Sequence, residues 1–454
     1  MVMSLSRQLA NFVLETDYDS VPQTALQRAK HHIIDCLGCM LAGTREPLAG
    51  ILGTYIDTVG GRPQASILGS ETQTSIYNAA MINGTLGHAL DFDDMSSSLI
   101  GHPTTVILPT ILALGEYQKI SARKALEAYV LGVEVACALG RLMNPGHYQQ
   151  GWHPTTSLGI FGATAAAGKL LGVSEAELAH AFGIAASEAS GIRENFGTMT
   201  KPFHAGRASA KGFLSAMLAR TGFNSSDRAF EGDAGFLRAT CDHYDIEETL
   251  KTLGNPYELV SPGLSIKKYP SCGATSNGID AMISLAEDNA ILTDSVKSIE
   301  CGSVPIAKDV LIYEVPRNGL EGKFSMHFCL AVALAEKKVT LEHFHDPWIN
   351  NPTISDLMNK TTFTVAPELA QYGYRGTFNT LLKVSLFNGD EYVLKVDHAK
   401  GSPENPLSEA EVFEKYTHCA EGVLPDGKIE RSIEMLSDFP MLEDLSDLLK
   451  VLRK

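Results

Sequence analysis

The tetrapeptide His-Pro-Thr-Thr occurs twice in this chain, beginning at His102 and again, 51 positions later, at His153. Proline is favoured in the first turn of a helix and threonine near its start, so each copy predicts a helix start. The N–H groups and the dipole at such a start attract an anion, and a histidine before it is suited to general acid/base catalysis. We therefore take His102 and His153 as candidate catalytic residues, and Thr104 and Thr155 as candidate substrate-binding residues. Two ordinary helix starts are the alternative interpretation.

Three aspartates follow a predicted helix in the segment GHALDFDDM. Asp91, Asp93 or Asp94 could orient a histidine or accept a hydrogen bond from a substrate hydroxyl. A metal site that includes His88 is a second interpretation, because carboxylates and imidazoles bind Mg²⁺ or Zn²⁺. The DFDD spacing argues against it, since two acids need i, i+4 spacing to share one helix face. A capped, solvated loop is the third interpretation.

Two further segments concentrate positive charge in a chain whose net charge is −16. The segment TKPFHAG contains Lys201 and His204, and the segment IKKYPSCG contains Lys267 and Lys268. The second segment stands at a predicted domain boundary, where ligand pockets are common. These four residues could bind an anionic substrate, and a solvated basic face is the alternative.

The elements that must position these residues change in kind along the chain. Helical periodicity continues to about residue 255, with the Ser-x-x-Glu capping box at Ser174 as one helix start. Strand-like runs follow, and two of them flank Asn388-Gly389-Asp390, which predicts a hairpin. We therefore expect a mainly α protein with two parts: a large all-helical domain formed by residues 1–260 with 401–454, and a smaller α+β domain at 261–400.

The composition of the 454 residues limits the class of protein. A hydrophobic content of 44% and a charged content of 20% are typical of a globular chain, and 53 acids against 37 bases argue against nucleic-acid and anionic-membrane partners. The N-terminal segment lacks the apolar run of a signal peptide, and no stretch reaches the ~18 apolar residues of a membrane helix. Eight scattered cysteines are typical of reduced thiols, so a cytoplasmic protein is expected.

Five segments in order, GHALDFDD, GWHPTTSLGIFGATAAAGKLLG, GTMTKPFHAG, KKYPSCGAT and EGKFSM, resemble the motifs of the MmgE/PrpD superfamily. This superfamily includes 2-methylcitrate dehydratases, cis-aconitate decarboxylases and iminodisuccinate epimerases. The resemblance implies an enzyme with no cofactor and no metal, usually a homodimer, with a large helical domain and a smaller α+β lid domain. It also implies a set of catalytic residues, which are Asp91, His102, His153, Lys201, Lys267 and Tyr313.

The residues and the resemblance predict the same chemistry, which is proton transfer at a carbon next to a carboxylate of a small di- or tricarboxylate. His153 is the expected main acid/base and His102 its partner, while Lys201 and Lys267 bind carboxylate and stabilise the developing charge. Tyr313 donates a proton or binds a hydroxyl, and the alternative is a tyrosine that only packs. The remaining substrate-binding candidates are His204 and Lys268.

A lyase of the dehydratase or decarboxylase type is the favoured reaction class. An epimerase similar to those acting on iminodisuccinate is the alternative, because Met95 stands where decarboxylases of the family have a threonine. Two other classes are a metal-dependent helical enzyme that uses DFDD with His88, and a non-catalytic dimeric binding protein.

Overall fold

The structure, a computed structural model, describes residues 3–372 and 378–454. The chain forms two compact units. The first comprises Met1–Ala89, Asp93–Leu264 and Ser408–Lys454, and the second comprises Leu90–Phe92 and Ser265–Leu407. The domain boundaries that we expect from the sequence, at 260 and 400, stay a prediction.

The first unit is built mainly from helices. Side-chain caps define several of their starts: Ser121 accepts a hydrogen bond from the Lys124 amide, and Ser174 and Glu177 form the predicted capping box. The helices, numbered in chain order, are α1 Leu5–Glu15, α2 Gln23–Gly43, α3 Pro47–Val59, α4 Ile76–His88, α5 Thr104–Gln118, α6 Ala122–Met143, α7 Gly146–Gln149, α8 Pro154–Ser157, α9 Gly159–Leu171, α10 Glu175–Glu188, α11 Thr200–Arg220, α12 Phe236–Thr240, α13 Ile246–Lys251, α20 Glu409–Ala420, α21 Asp426–Ser437 and α22 Leu445–Val451. Three short strands accompany them, β1 Ala65–Ser66, β2 Gln73–Thr74 and β3 Met95–Ser96.

Helix α11 packs against α4, α5, α9 and α10. Its closest approach to α4 is at Gly84 and Gly206, because a Cβ atom on Gly206 would collide with the carbonyl oxygen of Met81. Glycines at a helix crossing let the two backbones come together without a side chain between them. The end of α4 at His88 and the first turns of α11, with His204, extend from this crossing.

The second unit combines a mixed sheet with helices. Its strands are β5 Val296–Ser303, β6 Thr361–Val365, β7 Thr380–Leu386 and β8 Glu391–Val396, and β4 Leu264–Ser265 marks the passage of the chain between the units. Its helices are α14 Ser276–Asp288, α15 Pro305–Val310, α16 Gly319–Gly322, α17 Met326–Glu336, α18 Asp346–Ile349 and α19 Pro352–Asn359.

The strand order in this sheet is β6-β5-β7-β8, with β5 and β6 parallel and the other neighbours antiparallel. Strands β7 and β8 form the predicted hairpin, and Gly389 in its turn has a φ of 97°, which favours glycine. Helix α14 packs against β7 and β8, where the side chains of Leu382 and Val384 are buried. The second unit is therefore an α+β structure.

These observations confirm the predicted fold class, mainly α with a smaller α+β region. Among the described residues, no helix combines the length and the apolar character needed to cross a membrane.

Candidate active site

The two His-Pro-Thr-Thr segments contact each other in the first unit. The backbone amide of His102 donates a hydrogen bond to the Thr155 hydroxyl at 3.1 Å. Gly101 lies so close to Thr155 that an added Cβ atom would be 2.8 Å from the Thr155 amide nitrogen. The repeat therefore places two helix starts beside each other, at the beginning of α5 and of α8.

The start of α5 is occupied by a carboxylate of the chain itself. Asp94 accepts a hydrogen bond from the Thr104 amide at 3.3 Å, and its carboxylate also accepts from the Thr104 hydroxyl. The Thr104 hydroxyl also shares a 2.5 Å hydrogen bond with the Tyr129 hydroxyl, and all three side chains are fully buried. On the other side of Asp94, Nδ1 of His32 lies 2.9 Å from its carboxylate. The anion expected at this helix start is therefore Asp94, and a substrate-binding role for Thr104 stays a prediction.

His102 is held in one tautomer by the main chain. Its Nδ1 lies 2.7 Å from the carbonyl oxygen of Asp94, and because a carbonyl oxygen only accepts, Nδ1 carries the proton. In the neutral ring the lone pair is then on Nε2. Next to it, Nδ1 of His88 lies 2.9 Å from the Asp93 carboxylate, and the centroids of the His88 and His102 rings are 4.5 Å apart. Asp93 and Asp94 therefore orient histidines, one of the roles considered for this acidic segment.

Three of these side chains, those of His88, Asp93 and His102, have the composition of a metal site. His88, Asp93 and His102 offer ligand atoms within 4.8 Å of one another. The His88–Asp93 contact is also a complete imidazole–carboxylate hydrogen bond. In the structure these groups are therefore partners of each other, whereas the metal interpretation predicts activity that is lost on chelation.

His153 lies at the start of α8, where its amide donates to the Gly191 carbonyl oxygen at 3.1 Å. Its Nδ1 is 3.2 Å from Nδ1 of His204, so one ring donates a hydrogen bond to the other. His153 is fully buried, and its ring packs edge-on against the Phe196 ring at 4.9 Å. Because the two Nδ1 atoms are hydrogen-bonded to each other, Nε2 is the nitrogen of each ring that can exchange a proton with a substrate.

Burial and a neighbouring cation keep both of these histidines neutral. Burial lowers the pKa of His153 well below its ordinary value, and the Lys201 ammonium lowers that pKa further. The same two causes lower the pKa of His204 to about 4. Lys201 precedes His204 by three residues in α11, so the two side chains share one face, and its ammonium lies 5.4 Å from the Phe196 ring centroid. A pair of neutral imidazoles beside an ammonium group is prepared to receive negative charge.

The second unit brings Asp91 and Lys267 together. The Lys267 ammonium donates to the carboxylate and to the carbonyl oxygen of Asp91, both at 2.7 Å, and both side chains are buried. Asp91 has a φ of 52°, which an aspartate adopts more readily than most residues but only with support from its surroundings. This ion pair joins two residues that the sequence analysis proposed independently.

The other candidates of the second unit lie in different surroundings. Lys268 is exposed, with its ammonium 5.3 Å from the Tyr269 ring centroid, whereas its neighbour Lys267 is buried. Tyr313 is half-buried, and its amide donates to the Phe324 carbonyl oxygen at 3.4 Å. Catalysis by Tyr313 and substrate binding by Lys268 stay predictions.

Two residues of this region were not singled out from the sequence. His32 is the second of two consecutive histidines in α2, and only its position on the buried face of that helix signals it. Lys323 belongs to EGKFSM, quoted above for the resemblance, but the composition of that segment gives it no separate chemical signal.

Comparison with known proteins gives the family. The MmgE/PrpD N-terminal domain matches residues 7–249, and the MmgE/PrpD C-terminal domain matches residues 269–439. The chain is 27% identical to the human cis-aconitate decarboxylase, over 100% of this chain and 95% of that protein. It is 25% identical to a cis-aconitate decarboxylase-like protein of Aspergillus oryzae, over 99% and 97%, and 25% identical to the cis-aconitate decarboxylase of Aspergillus terreus, over 96% and 93%. These matches confirm the expected kind of enzyme, and the chain belongs to the MmgE/PrpD family.

Proposed function

We propose that this protein is a lyase that decarboxylates cis-aconitate, or a tricarboxylate of the same shape, by acid/base catalysis. One observation carries the proposal, namely the buried pair of neutral imidazoles, His153 and His204, beside the Lys201 ammonium. The relatives support the choice of substrate, because those above carry cis-aconitate decarboxylase in their names.

A neutral, buried imidazole pair suits a substrate with three negative charges. A carboxylate 4 Å from an imidazole favours the imidazolium by about 4 kcal/mol at an effective dielectric constant near 20. That interaction raises a pKa by about 3 units, which brings the pKa of His204 from about 4 to about 7. When the trianion binds, the pair would therefore take up a proton from solvent, and it then holds the proton that decarboxylation requires.

The chemical step needs one proton and a place for negative charge. When the carboxylate on the methylene carbon of cis-aconitate leaves as CO₂, the electron pair of the broken bond shifts the double bond. Negative charge then develops on a carbon next to a remaining carboxylate. An ammonium group such as Lys201 stabilises this charge, and protonation of that carbon completes the product.

We assign the proton transfer to Nε2 of His153, because its Nδ1 is bonded to His204. His102, whose Nδ1 proton is fixed by the Asp94 carbonyl oxygen, exchanges a proton through Nε2 and acts as its partner. The roles expected from the sequence for Lys267, which donates to Asp91, as a carboxylate ligand and for Tyr313 as an acid or hydroxyl ligand stay predictions. The homodimer expected for the family stays a prediction.

The proposal is tested by incubating the protein with cis-aconitate, 2-methylcitrate and iminodisuccinate in D₂O and following each by NMR. Loss of CO₂ from cis-aconitate supports the proposal, and its abolition in His153→Ala supports the assigned acid. Loss of water from 2-methylcitrate alone would indicate a dehydratase instead. Deuterium at Cα of iminodisuccinate with inversion would indicate an epimerase.

Two additional arms distinguish the other classes. Turnover that disappears after exhaustive EDTA treatment and returns with Zn²⁺ or Mg²⁺ would support a metal site at His88, Asp93 and His102. Turnover of none of the three compounds, together with their binding, would leave a binding protein.

A further inference from the structure

Lys323 is a buried lysine whose ammonium group binds main-chain carbonyl oxygens. It donates to the Leu90 carbonyl oxygen at 2.5 Å and to the Pro270 carbonyl oxygen at 2.9 Å. The residue is 4% exposed, and the ammonium lies 4.9 Å from the centroid of the Phe344 ring. A buried ammonium requires such partners, because an uncompensated charge is costly to remove from water. These contacts are therefore a fixed part of the second unit.

The two carbonyl oxygens belong to the segments that hold the Asp91–Lys267 pair. Leu90 directly precedes Asp91, and Pro270 follows Lys267 by three residues. Lys267 in turn donates to the carboxylate and the carbonyl oxygen of Asp91. The Lys323 and Lys267 ammonium groups therefore bind two consecutive carbonyl oxygens, those of Leu90 and Asp91.

The backbone of Lys323 and its neighbour extends the connection. The Cys272 amide donates to the Lys323 carbonyl oxygen at 2.9 Å. The segment after Lys267 is therefore bound both by the ammonium group of Lys323, at Pro270, and by its main-chain carbonyl, at Cys272. The Tyr313 amide donates to the carbonyl oxygen of Phe324, the next residue. Three candidate catalytic residues therefore stand on segments that meet at Lys323.

The conformation of Asp91 explains why the contacts of Lys323 matter. At a φ of 52°, its backbone is in the left-handed region, which persists only where the surroundings fix it. The two peptide groups that flank the Cα atom of Asp91 carry the carbonyl oxygens of Leu90 and Asp91, and these are the oxygens that the Lys323 and Lys267 ammonium groups bind. Loss of the Lys323 donor would let the stretch relax while leaving the Asp91 and Lys267 side chains chemically intact.

We propose that Lys323 is a positioning residue, which sets the orientation of the Asp91–Lys267 pair by binding the main chain on both sides of it. It acts through these residues and needs no contact with substrate. The proposal rests on the proposed function only for its kinetic readout, and its structural readout is independent of any substrate.

The test compares Lys323→Met with a matched control, Lys360→Met. Methionine keeps the apolar contacts of the lysine stem and most of its length but removes the ammonium donors. Lys360 is a partly buried lysine of the same unit that pairs with Asp356 and lies over the Phe387 ring. Hydrogen exchange measured by mass spectrometry reports on peptides covering residues 88–94 and 265–274.

We expect Lys323→Met to exchange faster in both peptides and Lys360→Met to match the wild type. With cis-aconitate as substrate, kcat of Lys323→Met should fall about 10- to 100-fold, while KM changes less than about threefold, since misplacement of a catalytic group by about 1 Å has such an effect. In the Asp91→Asn background the same substitution should add less than about threefold, because the group it positions is already gone.

Several results would overturn the proposal. Unchanged exchange in both peptides would refute it even if the enzyme turned over no cis-aconitate, so this failure is separable from failure of the proposed function. An additive loss in the Asp91→Asn background would assign Lys323 a merely structural role. If Lys323→Met does not fold, Lys323→Gln, whose amide group keeps two N–H donors on a shorter side chain, is measured in the same way and should show the same faster exchange with a smaller kcat loss.

Discussion

The hydrogen bond between His153 and His204 yields a prediction that two similar substitutions separate. Asparagine carries its amide where histidine carries Nδ1, and glutamine carries its amide near the position of Nε2. In the wild type, Nδ1 of His153 is 3.2 Å from Nδ1 of His204. His204→Asn should therefore keep a hydrogen-bond partner for Nδ1 of His153, and His204→Gln should lose that partner. The two variants have the same chemical group, so they control for each other.

The size of the effect follows from the burial of His153. A buried polar atom left without its partner costs about 1–3 kcal/mol. His153 is 2% exposed, so water does not replace the lost partner in His204→Gln. If the lost hydrogen bond raises the activation free energy by this amount, because the His153 ring is no longer held in the orientation that the transition state needs, kcat decreases about 5- to 150-fold.

The assay is steady-state kinetics with cis-aconitate, combined with thermal unfolding of both variants. We expect His204→Asn to keep kcat within about threefold of the wild type, and His204→Gln to lose kcat in the range given by the lost hydrogen bond. Equal losses in the two variants would refute the assignment of the Nδ1 atoms to each other. Equal retention of activity would show that His204 does not orient His153.

Three further predictions concern charge. Lys201→Met should raise the pKa of His153, because the Lys201 ammonium is the largest cause after burial that lowers it; an NMR titration of the free protein in which the His153 ring titrates as in the wild type would contradict this. Binding of propane-1,2,3-tricarboxylate at pH 7 should take up about one proton, because His153 and His204 are neutral in the free protein and the ligand raises their pKa. Calorimetry in buffers of different ionisation enthalpy measures the uptake, and a binding enthalpy that is the same in every buffer would contradict it. Lys415→Met should lower the free energy of unfolding by about 3–5 kcal/mol at pH 7.5, because the buried Asp35 carboxylate, 2.6 Å from the Lys415 ammonium, loses its partner. Burial raises the pKa of Asp35 to about 6 even beside Lys415, so Asp35 is mostly protonated at pH 5 in both proteins; denaturant unfolding should find a smaller loss there, and an equal loss at both pH values would refute the reasoning.

The fold class follows from local sequence patterns, which is why it could be predicted. The Ser174 capping box and the Asn388-Gly389-Asp390 turn each use contacts within a few residues, and the structure contains both. The helix crossing at Gly84 and Gly206 could not be predicted in the same way. Its two glycines are far apart in the sequence, and nothing near either one specifies the other.

The candidate site shows the same division between local and distant contacts. The His-Pro-Thr-Thr repeat pointed to two helix starts, and the structure places them side by side. The sequence did not reveal that Asp94 occupies the first of these starts, because that interaction depends on how the segment between Asp94 and Thr104 turns back. The contacts of Lys323 are likewise distant in sequence, with Leu90 more than 200 positions away.

NMR of the product formed from cis-aconitate in D₂O is the decisive test of the proposed decarboxylation. A decarboxylase that protonates through His153 releases one CO₂ per substrate and places a single deuterium on the carbon next to a remaining carboxylate, with one stereochemistry because His153 delivers it from one side. Turnover without CO₂ release, or deuterium distributed over both faces of that carbon, would contradict it.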